Sequence, residues 1–122
     1  MKENIALIKS EEMALTICNL YEELKEKKTP LVLLTQVLKS GTSIGANLSE
    51  AVCAISKNDF LSKTYISLKE CNETRYWLKL LFKANYLSEE KYLKIKNEVD
   101  EIFRILMTTT KTLSENLNHK DK

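Results

Sequence analysis

Residues 31–56 of this 122-residue chain read LVLLTQVLKSGTSIGANLSEAVCAIS, and this stretch decides the fold. Only Lys39 and Glu50 are charged within it, although charged residues make up 30% of the chain. Its bulky apolar residues recur at three- and four-residue steps, which is the period of an α-helix; they are Leu34, Val37, Leu38, Ile44, Leu48, Val52 and Ile55. The pattern predicts a helix that other protein covers on most sides.

The side of this helix opposite its apolar residues also lacks charge. Small residues lie there, namely Thr35, Thr42, Ala46, Ser49 and Cys53. Between the two sides runs a polar ridge of Gln36, Ser40, Ser43, Asn47 and Glu50. A helix covered all round needs more protein than three partner helices supply, so we expect a second copy of the chain to cover it. The alternative is that these uncharged polar residues face solvent.

Gly41 and Gly45 lie inside the same segment, where each costs a helix about 1 kcal/mol relative to Ala. A phosphate-binding loop is excluded, because the Gly-Lys-Ser/Thr order is absent and no strand precedes the glycines. A spacing of four places both glycines on one side of the helix, where another backbone can approach closely. We expect close helix packing at this position, either between helices of one chain or with a neighbouring copy of the chain.

Composition supports a helical protein without a membrane span. The chain has two Gly and one Pro, a scarcity typical of helical folds. Its three cysteines, Cys18, Cys53 and Cys71, have no paired spacing and predict buried or unreactive thiols in a reducing compartment. The charged start excludes a signal peptide, so we expect a cytoplasmic protein. A net charge of +2 does not by itself indicate a nucleic-acid partner.

Helical periodicity divides the chain into four helices, at about residues 4–28, 31–56, 59–84 and 88–117. Pro30 begins the second helix, and Ser88 caps the fourth with Glu89 and Glu90 in its first turn. Short joints between long helices favour antiparallel neighbours. The prediction is one all-α domain, residues 1–122, folded as an up-down-up-down four-helix bundle.

The third helix carries two lines of residues. One is a core stripe of Phe60, Thr64, Ser67, Cys71, Leu78 and Phe82. The other mixes charge with aromatic bulk, in Asp59, Lys63, Ile66, Glu70, Glu73, Trp77 and Leu80. Mixed lines suit interfaces, so we predict Glu70, Glu73 and Trp77 at an interhelix or oligomer contact.

Catalytic and metal chemistry are not expected. Glu70 and Glu73 could belong to a di-iron bundle only with Glu-x-x-His ligands from two helices, and the only histidine is His119 near the end of the chain. No histidine can therefore activate a Cys or Ser nucleophile. We predict no enzyme activity, no metal, no cofactor and no small-molecule substrate.

Three runs of the sequence carry a family resemblance. Residues 36–51 (QVLKSGTSIGANLSEA), 59–60 (DF) and 68–78 (LKECNETRYWL) resemble the 23S ribosomal RNA intervening-sequence proteins. The resemblance covers essentially the whole chain and is strongest from Gln36 to Leu81. It implies a four-helix protomer in a ring-like pentamer, of a family encoded in bacterial ribosomal RNA genes or elsewhere in bacterial genomes. The accessory protein of diversity-generating retroelements is similar and binds both a reverse transcriptase and nucleic acid.

Two functions follow as alternatives. Arg75, Lys79 and Lys83 lie at steps of four along the third helix and could contact phosphates, a weak stripe that a ring would multiply. The chain would then be an oligomeric accessory that binds RNA or a nucleic-acid-processing protein. In the alternative it is a scaffold that binds only proteins, and the basic residues form a solvated helix face.

Overall fold

A computed structural model describes residues 4–120, with side chains described as far as residue 118, so His119 lies outside the described side chains. The chain forms four α-helices, α1 (Ile5–Glu26), α2 (Leu31–Val52), α3 (Lys57–Lys83) and α4 (Glu89–Lys120), and the described residues contain no strand. The prediction of an all-α protein with four helices is confirmed. Asn4 caps α1 by accepting a hydrogen bond from the Leu7 amide at 3.0 Å.

Each helix packs on the next one along the chain. The Ser67 hydroxyl of α3 donates to the Ile44 carbonyl of α2 at 2.9 Å, and the Cys71 thiol of α3 donates to the Val99 carbonyl of α4 at 3.5 Å. Within the described residues, α1 also touches α4, but more sparsely than it touches α2. The pairs Lys9–Glu101 and Lys91–Glu23 bridge this last contact, the first at 2.9 Å.

The four helices enclose one apolar core. Its largest fully buried side chains are Met13, Ile17, Leu24, Leu34, Val37, Ile44, Leu78, Leu81, Val99, Ile102 and Leu106. Leu34, Val37 and Ile44 belong to the apolar side predicted for the second helix. The core stripe predicted for the third helix is also buried at Thr64, Ser67, Cys71 and Leu78, while Phe60 and Phe82 are half-buried.

The end of α2 differs from the prediction. The helix stops at Val52 rather than Ser56, and Ile55 is 93% exposed although its spacing placed it with the core. The reason is a cap on the next helix. The Ser56 hydroxyl accepts from the Asp59 amide at 3.0 Å, and the Asp59 carboxylate accepts from the Ile55 amide at 3.2 Å. With Ser56 as its N-cap, α3 begins at Lys57, so residues 53–56 connect the two helices and do not extend α2.

Two helices end in the same left-handed turn. Lys28 follows α1 with φ 62°, and Asn85 follows α3 with φ 67°. In the first turn the Thr29 amide donates to the Leu24 carbonyl at 3.1 Å, which is the long bond of a Schellman motif. Asn tolerates this backbone conformation well, whereas Lys does not. Lys28 is therefore a strained position.

Replacing Lys28 with Gly should raise the free energy of unfolding by about 0.5 kcal/mol. The change relieves a left-handed penalty of about 1–2 kcal/mol, partly offset by the greater freedom of Gly in the unfolded chain. Urea unfolding followed by circular dichroism measures the effect. Lys27→Gly is the control, since Lys27 has φ −82° and gains nothing, so it should lower the stability. A Lys28→Gly protein no more stable than wild type would contradict the expectation.

The three thiols occupy different environments. Cys71 is buried, and its burial raises the pKa of its thiol to about 12. The charge of Arg75 opposes this effect but does not outweigh it. Cys18 and Cys53 are exposed, so Cys71 alone of the three is a buried thiol.

Native protein should therefore react with Ellman's reagent at two thiols per chain at pH 8. A pKa of about 12 leaves about one part in ten thousand of Cys71 as thiolate at that pH, and the thiolate is the reactive form. The third thiol should react only after denaturation. Cys71→Ala is the control, because it should give two reactive thiols both before and after unfolding. Rapid reaction of three thiols in the native protein would show that Cys71 is accessible.

Candidate interaction surfaces

The two glycines of α2 face α1 of the same chain. A Cβ on Gly41 would lie 2.8 Å from Cγ1 of Ile17, and a Cβ on Gly45 would lie 3.4 Å from Cβ of Ser10. Both glycines are buried by this contact. The spacing predicted a close helix approach at an interhelix or oligomer contact, and α1 of the same chain makes this approach. A spacing of four identifies one side of a helix and not the chain that covers it.

One residue of the polar ridge of α2 is buried in the interior of the protomer, and the others lie at its surface, toward α3. Ser40 is buried and accepts a hydrogen bond from the Thr74 hydroxyl at 3.0 Å, so it joins α2 to α3 within the protomer. Three other members of the ridge are half-buried, namely Gln36, Ser43 and Asn47. Glu50 is exposed and pairs with Lys63 at 3.2 Å. The ridge therefore follows the seam between α2 and α3.

The outer α2 face is the surface left exposed beyond this ridge. We define it by Leu31, Val32, Thr35, Thr42, Ala46 and Ser49, of which Thr42 is half-buried and the others are exposed. The hydroxyls of Thr35 and Thr42 donate to carbonyls of their own helix at 2.8 Å, so they offer little polarity outward. Lys39 and Glu50 alone supply charge here. The structure thus places Ala46 on an exposed surface of low charge.

Glu70, Glu73 and Trp77 line the α3 side of the same seam. The Trp77 indole donates to the Glu73 carboxylate at 3.2 Å, which fixes the ring at the edge of the core. Partial burial raises the pKa of Glu70, and the charge of Glu73 raises it further, while Lys39 of α2 opposes both. Of these three residues, Glu70 therefore lies within electrostatic reach of α2, whereas Glu73 and Trp77 bond to each other within α3.

The basic stripe on α3 is less uniform than its spacing suggested. The Arg75 Nε donates to the Asp100 Oδ1 of α4 at 2.9 Å, and its guanidinium lies 4.1 Å from the centre of the Phe103 ring. Arg75 is therefore committed to contacts inside the protomer. Lys79 and Lys83 are exposed, and neither forms an ion pair with another described residue.

Asp100 was not anticipated from the sequence. Its side chain is only 15% exposed and also accepts from the Lys96 Nζ at 2.7 Å. Burial acts to raise the pKa of this carboxyl, but the hydrogen bond and charge of Lys96, with Arg75, outweigh burial and hold the pKa below its usual range. The Lys96–Asp100 spacing of four was a visible signal of a helical ion pair. The link to Arg75 was not, since nothing in the sequence aligns α3 with α4.

A cleft of about 380 Å³ opens beside this ion pair, and we call it the α3–α4 cleft. Its walls are Asn72, Arg75, Tyr76 and Lys79 from α3, and Tyr92, Lys96 and Asp100 from α4. The cleft brings two of the three residues of the predicted basic stripe, Arg75 and Lys79, together with Lys96, a cation outside that stripe.

Other kinds of site receive no support from the geometry. Across the described part of the chain, no group of three or more His, Cys, Asp or Glu residues could hold a metal ion. Of the four helices described, none is both long and apolar enough to cross a membrane.

Comparison with known proteins places the chain in a family. The family model for the 23S rRNA-intervening sequence protein matches residues 2–108. The chain belongs to this family. The 23S rRNA-intervening sequence protein match ends inside α4, so the last turns of that helix lie beyond it. The resemblance noted from residues 36–51 and 68–78 is thereby confirmed.

A solved structure is similar over almost the whole fold. It is a protein of unknown function from the S23 ribosomal protein family of Bacteroides thetaiotaomicron, 45% identical to this chain, with a TM-score of 0.85. The similarity covers 88% of this chain and 99% of that chain. A comparison with curated proteins found no match.

Proposed function

We propose that this chain is a non-catalytic accessory protein of the cytoplasm that assembles with copies of itself and binds RNA. The outer α2 face is the observation that carries the proposal. Val32 is 73% exposed there and Leu31 54%, and the flanking residues are small or uncharged. Interfaces are depleted in charge at their centre, whereas solvent-facing helix surfaces are usually charged. The occupant we propose is a second copy of the chain.

The geometry of the protomer suits such an assembly. Contacts between successive helices run in opposite residue order, as Ser67 meets Ile44 and Thr74 meets Ser40. From this order we infer an antiparallel up-down-up-down bundle. The outer α2 face then runs along one flank of the bundle, with the Glu70 and Trp77 seam beside it. A heterologous contact made by such a flank forms a ring when the rotation between neighbouring protomers closes. The pentamer is the ring size that the family resemblance implies.

The RNA part of the proposal rests on the surface formed by α3 and α4. Lys79 and Lys83 of α3 and Lys96 of α4 are cations beside or near one cleft, and a ring repeats them in every protomer. One observation favours the second candidate, a scaffold that binds only proteins. Arg75, which would be the strongest phosphate ligand of the stripe, is already paired with Asp100.

Light scattering and a salt-dependent RNA titration separate these functions. Purified protein should have a mass that is a multiple of the 14.1 kDa protomer. A labelled mixed-sequence RNA should bind at about 50 mM salt and weaken steeply toward 200 mM, because phosphate contacts release counterions. An oligomer that binds no RNA would favour the scaffold. A monomer would overturn the proposed assembly.

A further inference from the structure

We propose that the α3–α4 cleft is the RNA contact, and that it holds a nucleotide of single-stranded RNA between Lys79, Lys96 and Tyr76. This inference rests on the RNA part of the proposed function and names its site. The phosphate lies against Lys79 and Lys96, and the base lies on the ring of Tyr76. A volume of about 380 Å³ falls within the range of ligand-binding clefts, roughly 300–1,000 Å³.

The charge of the cleft favours an anion. Arg75, Lys79 and Lys96 contribute three positive charges to its walls, and Asp100 contributes the single negative charge. A guanidinium has five N–H donors and an ammonium has three. The bonds of Arg75 to Asp100 and Asn72 use two donors, and the bond of Lys96 to Asp100 uses one. Donors therefore remain for phosphate oxygens after the internal ion pairs are made.

Asp100 holds two of these cations in place before any ligand arrives. Its two carboxylate oxygens bind different partners, Oδ1 to Arg75 and Oδ2 to Lys96. The Phe103 ring supports the Arg75 guanidinium from α4. Side chains fixed in this way lose less rotational freedom on binding, which strengthens affinity. Arg75 and Asp100 are thus positioning residues, while Lys79 and Lys96 contact the ligand.

Tyr76 supplies an aromatic surface at the same cleft. Its ring is 58% exposed and meets the Trp77 ring edge-on, with the ring centres 5.0 Å apart and the planes at 79°. Stacking of bases on exposed aromatic rings tolerates any base and needs the base to be unpaired. A duplex hides its base faces, so the combination of Tyr76 with flanking cations selects single strands.

A cleft on the other side of α4 is unsuited to the same ligand. It lies between α1 and α4, has a volume of about 350 Å³, and carries Glu12, Glu98 and Glu101 against the single cation Lys9. Phosphates would be repelled from those carboxylates. Of these two clefts, the α3–α4 cleft therefore suits an RNA strand better.

The test is fluorescence anisotropy with the full-length protein and a labelled oligouridylate of about 12 nucleotides. Tyr76→Ala should weaken binding by about 10- to 100-fold, as loss of one stacked base implies. Tyr76→Phe should bind like wild type, because it keeps the ring. Lys79→Gln combined with Lys96→Gln should lower the slope of log affinity against log salt by about 0.7 for each lost phosphate contact. Duplex RNA should bind more weakly than the single strand.

Lys94→Gln is the matched control, since Lys94 lies on the α1 side of α4 and is exposed. It should leave binding by the oligouridylate nearly unchanged. Circular dichroism and light scattering verify that every variant keeps its fold and mass. If wild type binds RNA but the cleft variants bind equally well, or Lys94→Gln weakens binding as much as they do, the cleft assignment fails and RNA binding stands. If the intact oligomer binds no RNA, both proposals fall.

Discussion

Replacing Ala46 with Glu is expected to dissociate the oligomer into folded protomers, whereas the same change at Gly45 is expected to unfold the protomer. Ala46 lies on the outer α2 face, where a new carboxylate meets solvent in the protomer and a neighbouring chain in the assembly. Burying an unpaired charge in that interface costs several kcal/mol. In the isolated protomer the same charge should change stability by about 0.5 kcal/mol or less.

Gly45 gives a different result because α1 covers it. Its nearest neighbours are Ser10 atoms at 3.4–3.6 Å from an added Cβ, so Cβ itself fits, but the carboxylate of a Glu side chain would start from a buried position against α1. The cost of several kcal/mol is comparable to the whole stability of a small domain, about 5–15 kcal/mol. Gly45→Glu should therefore lose its helical circular dichroism signal at 25 °C.

Light scattering and urea unfolding on the two variants make the comparison. Asn97→Glu is the control, because Asn97 is an exposed residue of α4, which does not touch α2. This control should keep both the mass and the stability of wild type. An Ala46→Glu protein that remains oligomeric would show that the outer α2 face is only a solvent surface. A folded Gly45→Glu protein would show that α1 can move away from α2.

Replacing Arg75 with Glu is expected to lower the free energy of unfolding by about 1–3 kcal/mol, the range for losing a hydrogen bond between charged groups, because the Arg75 side chain is 37% exposed and water screens the pair. The new carboxylate would face the carboxylate of Asp100, whose side chain is 15% exposed. The contact of the Arg75 guanidinium with the Phe103 ring would also be lost. Lys79→Glu is the control, because Lys79 is an exposed residue one helical turn further along α3. This change should alter the free energy of unfolding by about 0.5 kcal/mol or less.

Denaturant unfolding of Arg75→Glu and Lys79→Glu at pH 7 measures the difference. Equal stabilities would mean that the Arg75–Asp100 pair contributes little to the fold. The stability of Arg75→Glu also bears on the choice of variants for measuring RNA binding. A reversal of charge at Arg75, Lys79 and Lys83 together would combine a loss of stability with a loss of RNA contacts, whereas a change at the exposed Lys79 leaves the Arg75–Asp100 pair intact.

The sequence predicted the helices well because their signals are local. The apolar side of residues 31–48 recurs at helical spacing, and Leu34, Val37 and Ile44 are buried as that spacing requires. The end of α2 was predicted too late because periodicity does not report where a helix stops. The Ser56-x-x-Asp59 pattern was the local signal that decided it.

The candidate surfaces were only partly predictable, since they depend on which helices meet. Gly41 and Gly45 indicated a close approach, but the sequence does not say whether Ile17 of the same chain or a second chain fills it. Arg75 appeared as a free cation because its partner, Asp100, lies on the next helix. Contacts of this kind require the relative placement of helices, which a single sequence does not encode in any short pattern.

The order in which the helices touch has a consequence for how the chain folds. Because each helix packs mainly on its immediate successor, most native contacts join segments that are separated by one short joint. Folds with such local contacts form quickly, and their elements can form as the chain leaves the ribosome. The pairing of α1 with α2 can bring Gly41 onto Ile17 before α4 has been synthesised. The contacts of α4, with α3 and more sparsely with α1 through the pairs Lys9–Glu101 and Lys91–Glu23, form after those of the first three helices.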